Sequence, residues 1–257
     1  MCSSPAPRGR PFVAPAYGSP GLCASLGRSR MRRERGGLST PGGGTVMRRL
    51  VIVGAGDHGR VLADIARSAG VEWISFVEPG PMPAGSVRAA PPIEGDLDHP
   101  DAWLPGMDAF AVGLGDNRRR AAAWARCLEL GLRPATLVHP SAILLGGAEL
   151  QEGAQVCAAA VIGVDAVVAG NAIINTAASI DHDVRVELHA QVGPGCHLAG
   201  RVVVGEGAFL GTGAAVTPGR QIGAWATVGA GAVVIDDIAE GSKVGGVPAR
   251  SLGQASG

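Results

Sequence analysis

Residues 144–180 read LLGGAELQEGAQVCAAAVIGVDAVVAGNAIINTAASI, and an aliphatic residue returns at every sixth position. The phase continues without a slip to residue 234, through sixteen consecutive positions. A period of six fits neither an α-helix, which repeats every 3.6 residues, nor an isolated strand, which repeats every two. It is typical of a solenoid in which three hexapeptides form one triangular coil. The positions are Leu144, Leu150, Val156, Ile162, Val168, Ile174, Ile180, Val186, Val192, Leu198, Val204, Leu210, Val216, Ile222, Val228 and Val234.

The residues between the aliphatic positions suit tight corners. The fourth residue after each aliphatic position is small in nearly every repeat, with Arg220 as the one misfit. Glycine follows many aliphatic positions directly, and we expect these glycines to serve turns that need positive φ. They are Gly163, Gly193, Gly205, Gly211, Gly223 and Gly229. An unfolded Ala/Gly-rich segment is the alternative, but it would not keep its aliphatic residues in phase.

An α/β segment is predicted before the solenoid. An apolar strand at 50–53 leads into a glycine loop, then a helix whose apolar face carries Val61, Leu62, Ile65 and Ala66. A second strand ends at Glu78, and a further strand and helix are predicted at 109–114 and 118–130.

The glycine loop, with Gly54, Gly56 and Gly59, matches the dinucleotide fingerprint, and Glu78 supplies an acid about 20 residues further on. Backbone N–H groups at such a loop and helix N-terminus favour phosphate. An NAD(P)-dependent oxidoreductase is therefore one alternative. The segment is too short for a Rossmann sheet with two nucleotide-binding halves, so it predicts a site for a single nucleotide-like group.

The amino-acid composition indicates which classes of partner and which cellular compartment to expect. The net charge is zero and only 17% of residues are charged, so we predict no nucleic-acid partner. No apolar run approaches the roughly 20 residues of a membrane span. The five cysteines are scattered without disulfide or metal spacing, which favours a reducing cytoplasm. Residues 1–46, rich in Pro, Gly, Ser and Arg, are interpreted as a disordered extension or an upstream start, with a targeting peptide or a nucleic-acid tail as alternatives.

His182 is the candidate for chemistry. Asp181 and Asp183 flank it, and such acids orient an imidazole and raise its basicity, as a general base near neutral pH requires. Gly200 lies eighteen residues later, one coil along, where its missing side chain leaves room for a thioester and its N–H is free for an oxyanion. A surface histidine paired with an aspartate is the alternative.

The other histidines carry weaker patterns. His189 and His197 lack flanking acids and are expected to be structural, while His58 in the glycine loop is equally compatible with substrate contact and with a loop hydrogen bond. A zinc hydratase of the same helix type remains an alternative if His182, His189 and His197 converge across a subunit interface. A non-catalytic β-solenoid scaffold is a further alternative.

Three blocks together resemble a family of bacterial sugar acetyltransferases. They are VGAGDHG at 53–59, INTAASIDHDVRV at 174–186 and GGVPAR at 245–250. The family includes sialic-acid O-acetyltransferases and N-acetyltransferases of nucleotide-activated amino sugars. The likeness implies a small Rossmann-like α/β domain at 47–140, a left-handed parallel β-helix at 141–238, and a C-terminal cap and tail at 239–257.

The resemblance also implies function. It implies a cytoplasmic homotrimer that transfers acetyl from acetyl-CoA to a sugar, in surface glycan biosynthesis, without a metal and in clefts between adjacent β-helices. His182 matches the general base, Asp183 the acid that orients it, and Gly200 the glycine whose N–H meets the thioester oxygen. The implied acceptor contacts are Gly54, Gly56, His58, Gly59, Glu78 and Asn175, and the implied coenzyme contacts are Gly200, Gly211, Gly229 and Arg250.

The sequence departs from the family pattern at two positions. Nine residues after the base the family often has a second histidine, and here the residue is Gln191. A second acid often follows the one at Glu78, and here it is Pro79. The first departure bears on one acceptor or coenzyme contact, and the second makes a uridine nucleotide a less secure prediction.

Overall fold

The computed structural model describes residues 49–80 and 93–252. In this part of the chain a small α/β layer precedes a long β-solenoid. The predicted extension over residues 1–46 lies outside the described residues.

The α/β layer is one parallel sheet with two helices. Its elements are β1 (Arg49–Val53), α1 (Asp57–Ser68), β2 (Trp73–Glu78), β3 (Ile93–Asp96), a 3-10 turn (Pro100–Ala102), β4 (Ala109–Val112), α2 (Asn117–Glu129) and β5 (Arg133–Pro134). The strand order is β3-β2-β1-β4-β5. The order reverses between β1 and β4, so their carboxyl ends flank the crevice where such sheets bind ligands. Gly54 follows β1 and Gly113 follows β4, so both line it.

Most of the predicted helical pattern is confirmed. Leu62, Ile65 and Ala66 are buried against the sheet, whereas Val61 is 41% exposed and was wrongly placed on this face. Val61 lies at the edge of the apolar stripe, about 100° around the helix from Leu62. In α2 the Asp116 side chain caps the helix by accepting from the Arg119 N–H at 2.8 Å.

The solenoid has three faces built from very short strands. Face 1 comprises Leu137–Val138, Gln155–Val156, Ile173–Ile174, Gln191–Val192, Phe209–Leu210, Thr227–Val228, Lys243–Gly245 and Arg250–Ser251. Face 2 comprises Ile143–Leu144, Val161–Ile162, Ser179–Ile180, His197–Leu198, Ala215–Val216 and Val233–Val234. Face 3 comprises Glu149–Leu150, Val167–Val168, Arg185–Val186, Val203–Val204 and Gln221–Ile222.

The predicted hexapeptide register is confirmed. Every predicted aliphatic residue is the second residue of its strand, and from Leu144 to Val216 each pairs with the one eighteen positions later, as Ile162 does with Ile180. At the end of the solenoid Ile222 and Val228 pair with Ile238 and Val244 instead. These side chains stack inside the coil and are almost fully buried. Leu144, at 41% exposure, and the partly buried Leu150 are exceptions, because each lies in the first strand of its face and no coil precedes it. The fold is a left-handed β-helix behind a small α/β layer, as predicted.

The role expected for the glycines after each aliphatic residue is wrong. Positive φ occurs two residues later in the repeat, as at Asp165, Asp183 and Gly195, and not at Gly163 or Gly193. A Cβ on Gly163 would lie 2.5 Å from the carbonyl carbon of Asp181 in the next coil. These glycines therefore allow close stacking of coils rather than a left-handed turn.

The α/β layer packs on face 1 and the two corners that flank it. Gln155 on face 1 donates from Nε2 to the Val112 carbonyl at 3.0 Å. At the corner between faces 3 and 1 (the 3–1 corner), Asn117 donates to the carbonyls of Gly207 and Ala208 at 3.0 and 3.2 Å. Neither helix in the described ranges has the length and apolar character needed to cross a bilayer.

Candidate active site

His182 and Asp183 form a hydrogen-bonded pair at the corner between faces 2 and 3 (the 2–3 corner). His182 Nδ1 lies 2.8 Å from Asp183 Oδ2, and the two side chains are 46% and 55% exposed. Asp181 fixes the local backbone because its Oδ1 accepts from the His182 N–H at 2.7 Å. An ionised carboxylate can only accept, so Nδ1 carries the proton and Nε2 keeps its lone pair. This is the tautomer that a general base requires.

Gly200 lies directly against the His182 ring. A Cβ at Gly200 would lie 2.5 Å from Cε1 of His182 and would also collide with Nε2. The space expected for a thioester is therefore filled in part by the imidazole itself. Among the described residues no acceptor is bonded to the Gly200 N–H, so an unused donor lies next to the His182 ring in the chain fold.

The remaining predicted coenzyme residues lie elsewhere on the chain. Gly211 and Gly229 share a column with Asn175 at the corner between faces 1 and 2 (the 1–2 corner), one face away from His182. Arg250 lies 3.5 Å from Asp236, which is three coils beyond His182 in the His182 column. The structure thus brings together His182, Asp183 and Gly200, and separates them from the 1–2 corner.

The glycine loop is shaped by backbone contacts. Gly54 has φ +97° and donates to the Val77 carbonyl at 2.7 Å, while a Cβ on Gly59 would overlap the Gly54 carbonyl. The N-cap residue Gly56 has no side chain to cap α1, which leaves N–H groups for an anion. Glu78 Oε1 accepts from the Ala55 N–H at 3.2 Å, so this acid closes one side of the loop.

His58 points towards the solenoid rather than out of the loop. Its Nε2 lies 2.8 Å from Oε1 of Gln155, a fully buried residue on face 1. Burial lowers the pKa of His58, with the Gln155 hydrogen bond opposing the shift and Arg120 adding to it. Only Nδ1 of His58 is therefore available for the predicted contact with the acceptor substrate.

Arg120 is a structurally central residue that the sequence analysis did not single out. It is fully buried, and its guanidinium donates to the Asn117 side chain at 2.7 Å and the His189 carbonyl at 2.6 Å, as well as to Leu114 and Asn171 carbonyls. Burial lowers its pKa to about 10. The α-helical spacing of Arg120 with the buried Ala123, Trp124 and Cys127 was the signal that predicts an inward face.

His189 is buried beneath α2 at the 3–1 corner. It is 7% exposed, and its Nδ1 accepts from Asn171 Nδ2 at 2.8 Å. The zinc alternative needed this ring at a subunit surface, and its burial removes it from such a site. Within the described ranges no three His, Cys, Asp or Glu side chains form a group that could hold a metal ion.

The burial of His189 predicts an acid-sensitive fold. Burial lowers the pKa of His189 to about 4, with Arg120 contributing in the same direction. Above pH 6.5 the ring is neutral in both states, but between 6.5 and 4 the unfolded chain binds a proton that the folded chain excludes. The free energy of unfolding should therefore fall by about 2–3 kcal/mol over this range, as measured by urea unfolding at several pH values. His189→Asn keeps a residue tolerant of φ +60° and should flatten this slope; equal slopes would contradict the prediction.

A cavity lies between α1 and the 1–2 corner. Its volume is about 310 Å³, and its lining includes Asp57, Arg60, Asp64, His139 and Thr176. His139 holds its Nδ1 2.7 Å from Ser141 Oγ. This cavity does not include His182 or Gly200.

Comparison with known proteins agrees with this architecture. A family model described as the PglD N-terminal domain matches residues 49–126. GDP-perosamine N-acetyltransferase from Caulobacter crescentus, solved as a histidine-to-alanine variant with CoA and GDP-perosamine, is 37% identical, with 81% of this chain and 99% of that chain covered and a TM-score of 0.75. The acetyltransferase domain of PglB from Neisseria gonorrhoeae, in complex with acetyl coenzyme A, is 34% identical, with 80% and 99% covered and a TM-score of 0.73. WeeI from Acinetobacter baumannii shares the fold at 21% identity, with 80% and 100% covered and a TM-score of 0.71.

A left-handed β-helix of hexapeptides behind a small α/β layer defines a class of acyltransferases. Within this class, the chain is 37% and 34% identical to the two acetyltransferases from Caulobacter crescentus and Neisseria gonorrhoeae, over about four fifths of its length. This chain belongs to the family of hexapeptide-repeat sugar acetyltransferases. It is an acyltransferase, and the oxidoreductase and scaffold alternatives are set aside.

Proposed function

We propose that this enzyme transfers the acetyl group of acetyl-CoA to the amino group of a nucleotide-linked amino sugar, in surface glycan biosynthesis. The single observation that carries the proposal is His182, paired with Asp183 through Nδ1 and packed on Gly200, in a chain 37% identical to GDP-perosamine N-acetyltransferase. The substrates bound by that relative favour N-acetylation over the O-acetylation of a sialic-acid-like sugar.

His182 is the proposed general base. Its Nε2 accepts a proton from the acceptor amine while the amine nitrogen attacks the thioester carbonyl carbon. The Gly200 N–H donates to the oxyanion of the tetrahedral intermediate. The C–S bond then breaks, the His182 imidazolium gives its proton to the leaving thiolate, and the coenzyme leaves as a thiol while the amide product remains. Asp183 stabilises the transient imidazolium through the 2.8 Å contact to Nδ1.

Direct transfer is favoured over an acyl-cysteine route. Cys196 is fully buried, and its Sγ donates to the Gly211 carbonyl at 3.0 Å. Burial raises the pKa of Cys196, which disfavours the nucleophilic thiolate. We therefore assign Cys196 to packing, as its small corner position predicts.

The proposed coenzyme path follows the His182 column. Successive coils are about 4.8 Å apart, so Asp236 and the neighbouring Arg250 lie roughly 14 Å along the solenoid from His182. The exposed Arg250 guanidinium suits a phosphate at the far end of an extended coenzyme. Gly211 and Gly229, on the 1–2 corner, would contact the coenzyme of a neighbouring site.

The α/β layer is the proposed acceptor domain, within residues 47–140. The exposed loop at Gly56, at the N-terminus of α1, suits the diphosphate, and Glu78 suits the base or ribose of the nucleotide. Gly59 is buried against Gly54 and Gly113, so its part in this site is to let the loop pack closely. Gly54 shapes the loop with its positive φ, and His58 joins the loop to Gln155 of the solenoid. Asn175 at the 1–2 corner would face the sugar.

A homotrimer is proposed because one chain does not bring these groups together. The α/β layer covers face 1 and its corners, while His182 lies at the 2–3 corner, on the opposite edge of the triangular coil. A neighbouring chain can place its glycine loop and 1–2 corner against His182. A cytoplasmic location is proposed as well, which the free thiols of Cys127, Cys157 and Cys196 favour.

The proposal predicts turnover by a trimer. Thiol release from acetyl-CoA should be observed with one member of a panel of nucleotide-linked amino sugars, and sedimentation equilibrium should give the mass of three chains. Free sialic acid serves as the acceptor for the O-acetylation alternative. A folded trimer that releases thiol with sialic acid and not with any amino sugar would contradict N-acetylation.

A further inference from the structure

Arg201 occupies a backbone position that arginine rarely adopts. Five successive residues in this column of the 2–3 corner have positive φ: Gly147, Asp165, Asp183, Arg201 and Gly219. Glycine tolerates this conformation without a steric cost, and aspartate does so better than most residues. Arg201, at φ +61°, pays a strain that Gly or Asn would avoid.

Arg201 is joined directly to the proposed base. Its backbone N–H donates to the His182 carbonyl at 3.0 Å, and it follows Gly200 in the chain. Asp183 lies one coil earlier in the same column, but its carboxylate is bonded to His182 Nδ1 instead. Within residues 49–80 and 93–252, the exposed Arg201 guanidinium has no hydrogen-bond or ion-pair partner. A free cation therefore stands beside the reaction centre.

The glycine loop lacks such a cation. Arg60, the arginine nearest its N–H groups along the chain, lies 2.7 Å from Asp57 Oδ1, and Glu78 adds a negative charge at Ala55. A diphosphate held only by these N–H groups would have its two negative charges poorly compensated. A second source of positive charge would offset the repulsion from Glu78.

We propose that the Arg201 guanidinium binds a phosphate group of a substrate seated at the 2–3 corner. The inference rests on the proposed function, which places an amine at His182 Nε2. The diphosphate of a nucleotide sugar is only one sugar ring away from that amine, whereas the coenzyme phosphates lie beyond the pantetheine arm. The geometry thus favours the acceptor diphosphate, bound by the two-pronged hydrogen bonding that guanidinium offers to phosphate.

Arg201→Asn separates this role from a structural one. Asparagine tolerates positive φ, so the variant should unfold at the wild-type temperature or a few degrees higher. Its KM for the nucleotide sugar should rise about 10- to 100-fold, because a charge-assisted contact is lost, while kcat changes little. A rise in the KM for acetyl-CoA instead would identify the coenzyme as the phosphate source. Unchanged values of both constants would overturn the inference and leave the proposed function intact.

Two control variants sharpen the result. Arg185→Asn removes an exposed arginine on face 3 that pairs with Glu187 at 3.3 Å, and both constants should stay unchanged. Ala159→Asn relieves a positive φ of 56° at an exposed corner, so it measures the stability gain alone. If the wild type is inactive with every acceptor, the proposed function fails, and calorimetric titration with GDP, UDP and coenzyme A still tests Arg201. Equal affinities of wild type and Arg201→Asn for all three would then overturn the inference.

Discussion

Replacing His182 with alanine should lower kcat by 10²- to 10⁴-fold, the usual cost of a lost general base. The side chain is 46% exposed and makes one side-chain hydrogen bond, so the variant should fold and assemble as the wild type does. The KM for each substrate should change far less than kcat, because the imidazole acts on the proton and not on binding. Steady-state thiol release, with sedimentation of the variant, measures both expectations.

A matched histidine provides the control. His197 lies on face 2, is exposed, and holds its Nδ1 2.8 Å from Ser179 Oγ. His197→Ala should therefore keep wild-type turnover. Retention of more than about a tenth of the activity by His182→Ala would contradict the assigned role, since it falls outside the range for a general base.

Gly200→Ala should reduce turnover by roughly 100-fold without unfolding the protein. The added methyl group would lie 2.5 Å from Cε1 of His182 and collide with Nε2, so the ring must swing away from Asp183. The ring is exposed on its other side, which makes that movement possible at little cost in stability. Displacement of a catalytic group by about 1 Å is enough for a loss of this size. The Gly200 N–H is retained, so the loss reports the position of the base.

The same column supplies a matched glycine. Gly146 lies two coils before His182, at the equivalent position of its coil, and a Cβ there would meet nothing within 4 Å. Gly146→Ala should keep both turnover and thermal stability. Comparable losses in both variants would show that the solenoid backbone, rather than the His182 ring, is the sensitive element.

The hexapeptide period and the helical period of α1 were sufficient to predict much of the fold. One aliphatic residue per hexapeptide specifies three stacked sheets, because each coil pairs only with its neighbours and no long-range information is needed. The pattern Ile180-Asp181-His182-Asp183 likewise placed the imidazole and its carboxylate at one corner, since adjacent residues in a rigid repeat keep a fixed geometry. The helical stripe of α1 predicted Leu62, Ile65 and Ala66 correctly and failed at Val61, where the edge of the stripe meets solvent.

The sequence by itself therefore determined the β-helix and the His182–Asp183 pair, because each depends on contacts within one or two coils. It also determined that the α/β layer precedes the β-helix in the chain. Only the tertiary structure decided how the α/β layer sits on the solenoid. The buried Arg120 of α2 fixes that arrangement by donating to the carbonyls of Asn171 and His189, which lie 51 and 69 residues away in the chain. It also decided that His58 turns to Gln155 and that the ring of His182 fills the space over Gly200. The contacts of Arg120 and His58 join segments with no common period, and the repeat fixes the spacing of His182 and Gly200 but not the direction of the ring, so no local pattern predicts these features.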